Sequence, residues 1–125
     1  VGNSGNIVRS TNNGSSWDNV TSPTANGIYG VTFGNNTFVA VGNSGNIVRS
    51  TDNGSSWDNA TDNSTAYHLI EVTFGNNTFV AVGVSGNIAR STDNGSTWDN
   101  ATTDNSTANS LRGVTYLSKN CTVPG

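Results

Sequence analysis

The sequence predicts an all-β chain of tandem four-stranded units. Two observations predict it. The block Val1-Gly2-Asn3-Ser4-Gly5-Asn6-Ile7 returns at Val41 and again at Val82, at spacings of 40 and 41 residues. Within each period, short runs rich in Val, Ile, Phe and Thr alternate with breaks rich in Gly and Asn. No stretch carries the 3.6-residue period of a helix. A period near 40 with four short β runs is the pattern of propeller blades, each burying one face against its neighbour.

The third period is the clearest. His68 to Phe74 reads as strand one, and Gly75-Asn76-Asn77-Thr78 as a turn. Phe79 to Val82 is strand two, Gly83-Val84-Ser85-Gly86 a second turn, and Asn87 to Ser91 strand three. Strand four runs from about Ser96 to Ala101, and Thr102 to Asn109 leads onward. Phe33, Phe38, Phe74 and Phe79, with Val39, Val41, Val80 and Val82, are expected to build the seams between units.

The same reading divides the chain. Residues 1–26 hold strands three and four of a split blade, 27–67 a second blade and 68–109 a third. Residues 110–125 supply terminal strands that complete a split blade, in cis or in a neighbouring copy. There Leu111-Arg112-Gly113-Val114-Thr115-Tyr116 is a strand one, and Pro124 suits an edge or a chain end. About three blade equivalents are too few to close a ring. The expected ways out are a longer repeat protein, a six-bladed ring of two copies, or a head-to-tail array. The lack of any Met, position 1 included, suggests a fragment or a start inside a longer precursor.

Each unit is organised by one turn. Ser50-Thr51-Asp52-Asn53-Gly54-Ser55-Ser56-Trp57 has copies at Ser10–Trp17 and Ser91–Trp98. Asn-Gly between β runs favours a tight turn, because both residues tolerate positive φ. The Asp accepts backbone N–H groups of its own turn, and the Trp brings apolar area to a small unit. Ser-x-Asp-x-Gly-x-x-Trp resembles the Asp-box, or bacterial neuraminidase repeat, of sialidase-like and photosystem II assembly-factor propellers. Two copies match fully; in the first, Asn12 replaces Asp. The resemblance implies a structural role for Asn12, Gly14, Trp17, Asp52, Gly54, Trp57, Asp93, Gly95 and Trp98, away from any catalytic centre. It also implies that arginine-bearing faces can dock protein, as in the assembly factors.

Composition narrows the partners. Five Lys and Arg spread along a chain of net charge −3 give no basic patch, which argues against nucleic acid. No apolar run reaches transmembrane length. Asn, Ser and Thr make up 54 of the 125 residues, yet the apolar frame recurs at fixed places, which argues against disorder. Eleven Asn-x-Ser/Thr sequons fall at Asn13, Asn19, Asn35, Asn53, Asn59, Asn63, Asn76, Asn94, Asn100, Asn105 and Asn120. They are candidate glycosylation sites and suggest an extracellular or cell-surface protein. Asn13, Asn53 and Asn94 lie in the repeated turns, where a glycan is expected to point to solvent. Cys121, the single cysteine, suits an intermolecular bridge, a free thiol or an inert strand position.

Variation between units marks the candidate binding surface. The frame barely changes, while the connection from strand four to strand one does. Tyr29, Tyr67, His68, Glu71 and Arg112 stand there and are expected at a shared rim. Catalysis is not expected. A sialidase needs an arginine cluster and a Tyr–Glu pair, whereas this chain has one Glu, and Arg9, Arg49 and Arg90 are spaced one per blade. With one His, neither a His-based metal site nor a Ser–His–Asp triad is expected, and no cofactor motif is present. The function expected is a non-enzymatic extracellular structural protein. It would assemble with itself by terminal strand exchange into a ring or filament. The alternative is a carbohydrate- or protein-binding propeller module that uses the rim.

Overall fold

The computed structural model describes residues 1–60, 62–63, 67–101, 109–117 and 120–122, with positions 62, 63, 117, 120 and 121 described by backbone alone. Asn105, the side chains of Asn63, Asn120 and Cys121, and most of the 102–109 connection lie outside the described residues.

The described residues form thirteen strands in four sheets. β1 (Ile7–Arg9) pairs with β2 (Asp18–Val20). β3 (Ile28–Gly34), β4 (Thr37–Gly42), β5 (Ile47–Ser50) and β6 (Asp58–Asn59) form a four-stranded antiparallel meander. β8 (Leu69–Gly75), β9 (Thr78–Gly83), β10 (Ile88–Ser91) and β11 (Thr97–Asn100) repeat it. β12 (Thr115–Leu117) pairs with β13 (Asn120–Thr122). The periods read from the sequence are thus sheets.

Local chemistry sets the meander. Asn35-Asn36 and Asn76-Asn77 close the first hairpin of each unit with φ between 50° and 59°, the two-residue turn that matches strand twist. The second turn is a short 3-10 segment in all three periods, with Ser4, Ser44 and Ser85 at positive φ. Phe33 faces Phe38 across the ladder with ring centroids 4.7 Å apart, and Phe74 faces Phe79 at 4.6 Å. Registers coincide in the two full units: Val39↔Arg49 in one matches Val80↔Arg90 in the other.

One strand differs from expectation. β7 (Asp62–Asn63), read as part of a connection, adds a parallel edge to β11, pairing Thr97↔Asp62 and Trp98↔Asn63. The third unit therefore carries five strands. Among the described residues no ladder joins β1–β2 to β12–β13. The β1–β2 sheet packs beside the β3–β6 unit, and β12 beside β8 at the other end, so the two halves flank the two full units.

The seams hold the apolar core. The seam between the full units buries Val39, Val41 and Ile47 against Leu69, Val72, Phe79, Ala81, Ala89 and Trp98. The seam at the N-terminal half buries Ile7 against Ile28, Ala40, Val48 and Trp57.

Candidate binding surface

The repeated turn is a closed hydrogen-bond unit. Ser50 Oγ accepts the Gly54 N–H at 2.9 Å and donates to Asp52 Oδ1 at 2.8 Å. Asp52 Oδ1 accepts the Ser56 N–H at 2.9 Å, and the Ser56 hydroxyl donates to Asp52 Oδ2. The Trp57 indole Nε1 donates to Gly54 O at 3.0 Å, which lays the ring across the turn. Asp93 repeats the pattern with Ser91 and Thr97, and Trp98 with Gly95. Asn12 reproduces it without charge: Oδ1 accepts from Ser10 and from the Ser16 N–H, while Nδ2 donates to Ser16 Oγ at 2.7 Å.

Hydrogen bonds from the Ser56 hydroxyl, the Ser56 N–H and Ser50 hold the Asp52 carboxyl down at about 2. For Asp93, burial pushes up, and hydrogen bonds from the Thr97 hydroxyl, the Thr97 N–H and Ser91 outweigh it, leaving it below the ordinary value. Both oxygens of each carboxylate accept hydrogen bonds inside their own turns.

The turns also lock one unit to the next. Arg9 Nε donates to Asn53 O at 2.9 Å, and Arg49 Nε to Asn94 O at 3.2 Å. Asn94 Nδ2 donates to Thr37 Oγ1 at 2.7 Å, and Asn94 Oδ1 accepts from Asn35 Nδ2 at 3.1 Å. The expectation that a glycan at Asn94 points to solvent is corrected here, because both polar atoms of its amide are held by the preceding unit. Asn35, also a sequon residue, spends its amide on the same contact. Asn13, Asn19, Asn53, Asn59, Asn76 and Asn100 are exposed.

Of the five residues expected at the rim, two have hydrogen-bond partners that fix them. His68 Nδ1 accepts the Ser44 N–H at 2.8 Å, so the imidazole braces the second turn of the preceding unit. Glu71 Oε1 folds back onto the Val72 N–H at 3.1 Å, and the Glu71 backbone lies where a side chain on Gly30 would fall. Tyr29, Tyr67 and Arg112 are exposed.

The cavity lies elsewhere. A space of about 670 Å³ opens beside β1, lined by Val8, Arg9, Trp17, Val31, Phe38 and Gly54 among others, and by none of those five. Its apolar walls are open to water only here. Trp17 is 59% exposed, against 8% for Trp57 and 0% for Trp98; Val31 is 43% exposed, against 4% for its counterpart Val72. In the next seam, Val39 fills this space: its Cγ2 lies 3.0 Å from where a side chain on Gly95 would start, with Arg49 and Phe79 beside it. At the corresponding Gly54, the three atoms nearest that point belong to Arg9 and Phe38, at 3.4 to 3.9 Å.

No protein-family model and no curated relative matches this chain. A solved structure described as YCF48 bound to D1 peptide is similar to it, with a TM-score of 0.72 and 19% sequence identity. The fold is that of a β-propeller. The similarity covers 91% of this chain and 39% of that one, so this chain spans about two fifths of the neighbour's length. Among the described residues no group of three or more His, Cys, Asp or Glu is gathered to hold a metal, and no helix is long and apolar enough to cross a membrane. Sequence reasoning missed Val8 and Val31 on the wall of the cavity beside β1 and read Gly54 only as a turn residue.

Proposed function

We propose that this chain is a non-enzymatic propeller module that docks another protein at the rim formed by the connections from strand four to strand one. The exposed side chains of Tyr29, Tyr67 and Arg112 carry the reading: two aromatics and a guanidinium stand open to solvent where the units differ most. Surfaces of this kind mark interaction sites. The solved neighbour with a bound peptide supports a peptide-sized partner. The turn geometry supports assigning Ser10–Trp17, Ser50–Trp57 and Ser91–Trp98 to the Asp-box type, as structural turns.

Peptide-display selection on the immobilised chain tests the reading. Enriched peptides should bind the native chain and lose binding to Tyr29→Ala or Arg112→Ala. A selection without enrichment, or one indifferent to both variants, sinks it. A glycan array on the same variants asks whether the rim takes carbohydrate.

Self-assembly by terminal strand exchange is the second reading. Its support is that β1–β2 and β12–β13 each hold half a unit. One position opposes it. By register, Leu117↔Asn120 stands where Gly34↔Thr37 and Gly75↔Thr78 stand in the full units. Those glycines take an aromatic ring from the next unit, and at position 117 the repeat departs from glycine. Light scattering over a wide concentration range separates monomer from ring or filament. An extracellular setting rests on the sequons, and intact mass of the secreted chain tests it.

A further inference from the structure

One imidazole ties the two full units together at the rim. We propose that His68 is a pH-operated latch: at neutral pH its Nδ1 holds the Ser44 N–H of the preceding unit, and in acid that bond is lost and the two units part at the rim. This inference stands apart from the docking reading, since it concerns a bond inside the chain and no ligand.

Ser44 is the middle residue of the 3-10 turn Asn43–Gly45, between β4 and β5, and is held at a φ of 57°. His68 stands just before β8, 24 residues further on, and its Nδ1 accepts the Ser44 N–H at 2.8 Å. The turn is otherwise closed on its own unit: the Gly42 N–H donates to Asn46 O at 2.9 Å, and the Asn46 N–H to Asn43 O at 3.0 Å. The Ser44 N–H is thus the donor that reaches the next unit. Gly27 and Ser110 hold the place of His68 in the neighbouring periods, immediately before Ile28 and Leu111. Neither residue type titrates near neutral pH, so the device belongs to one seam.

An imidazole nitrogen accepts only while it is bare, so the neutral ring carries its proton on Nε2. A second proton makes both nitrogens donors and sets two N–H groups against each other where the bond was. Ser44 and His68 are both exposed, so water takes each group once they part. The seam beneath is apolar, with Val39, Val41, Leu69 and Phe79 fully buried, and it holds the units together while the rim opens. The other charged or titratable groups nearby are few. The elements packed on β8 are the Asn43–Gly45 turn, β3, β4, β9 and β12. The turn, β4 and β9 carry none; β3 carries Tyr29 and β12 Tyr116. Tyr67 and Glu71 flank the ring along its own segment, and Glu71 Oε1 already accepts the Val72 N–H. The Leu111 N–H, bonded to Gly83 O, brings Arg112 to the same end of the strand. Tyrosine, glutamate and arginine side chains ordinarily keep their charge between about pH 5 and 7, and histidine does not.

The test follows the full chain by NMR from about pH 8 to about pH 5. The chain holds one His, so the ring that titrates is His68. The result expected is a Ser44 amide signal that moves with the same midpoint as the ring. Protection of that amide from hydrogen exchange, corrected for the intrinsic effect of pH, should fall by about fivefold in the acid form. His68→Asn is the second arm, because the asparagine Oδ1 can accept in the place of Nδ1 and does not titrate. In that variant the Ser44 signal should stay level across the range. A Ser44 amide that is unmoved while the ring titrates overturns the inference. So does an acid shift at Ser44 that persists in His68→Asn, because another group then causes it. A failed peptide selection would remove the docking reading and leave the latch in place.

Discussion

The ring of Phe74 occupies the space that a side chain on Gly34 would need: a Cβ there would lie 2.1 Å from the ring. Gly75 stands in the same relation to Tyr116, also at 2.1 Å. The last residue of each first strand is thus the socket for an aromatic from the next unit. Gly34→Ala should destabilise the fold by about 1–3 kcal/mol or more, since overpacking forces ring and backbone apart. Gly2 is the control. It is extended, and a side chain there meets nothing within 4 Å, so Gly2→Ala should change stability by less than about 0.5 kcal/mol. Urea unfolding of the two variants, compared at constant slope, checks the contrast.

That socket also marks what the sequence could reveal. Four-stranded units, turns at Asn76-Asn77 and the Trp-bearing turns are local patterns, encoded within a few residues, and they are legible. The Gly34–Phe74 socket and the Asn94–Thr37 bond are pairings between units, and no local rule selects them. Asn94 has the same sequence neighbours as Asn53, so its bond to Thr37 cannot be read from the turn alone. β7 escaped because two residues of Asp-Asn carry no strand pattern.

Acid should loosen the repeated turns unevenly. Asp52 is held at about 2, below its ordinary 3.8, and Asp93 is also lowered. A carboxyl with a depressed folded pKa binds its proton more weakly when folded, so its contribution to stability is full above about pH 4 and is lost as pH falls towards 2. Asn12 makes the same bonds without titrating. The Asp52→Asn/Asp93→Asn variant should therefore remain folded and show a flatter decline of melting temperature between pH 4 and 2. An unchanged slope would remove these two carboxyls from the acid response.

The arginines divide by whether a following turn is present. Arg49 Nε holds Asn94 O across the full seam. Arg90 is exposed and, among the described residues, makes no such bond. Arg49→Ala should cost about 1–2 kcal/mol through the lost charged donor and the orphaned carbonyl, and Arg90→Ala little. Equal effects in thermal unfolding would mean the bond to the Asn94 carbonyl contributes nothing.

The three tryptophans sit in the same turn and differ in cover. Trp98 is fully buried against Phe79, with ring centroids 6.3 Å apart, and Trp98→Ala should cost about 3–5 kcal/mol. Trp17 makes the same indole bond, to Gly14 O at 3.1 Å, with its ring in water, and Trp17→Ala should cost under about 1 kcal/mol. Chemical denaturation with fluorescence detection ranks the two and identifies the red-shifted component as Trp17.

Glycan attachment should follow the inter-unit bonds rather than the sequons. Asn53 is exposed, whereas the Asn94 amide N–H donates to Thr37 Oγ1 at 2.7 Å. Attachment of a sugar replaces a hydrogen on that same nitrogen and places its bulk against the preceding unit. In a chain expressed through a glycosylating secretory host, Asn13 and Asn53 should carry glycan and Asn94 should stay bare. Folding precedes modification for this ordering to hold, so Thr37→Ala, which frees the Asn94 amide, should raise occupancy there. Site-resolved glycopeptide mass spectrometry reads both. High occupancy of Asn94 in the native sequence would mean that the seam forms only after the sugar is attached, or does not form there at all.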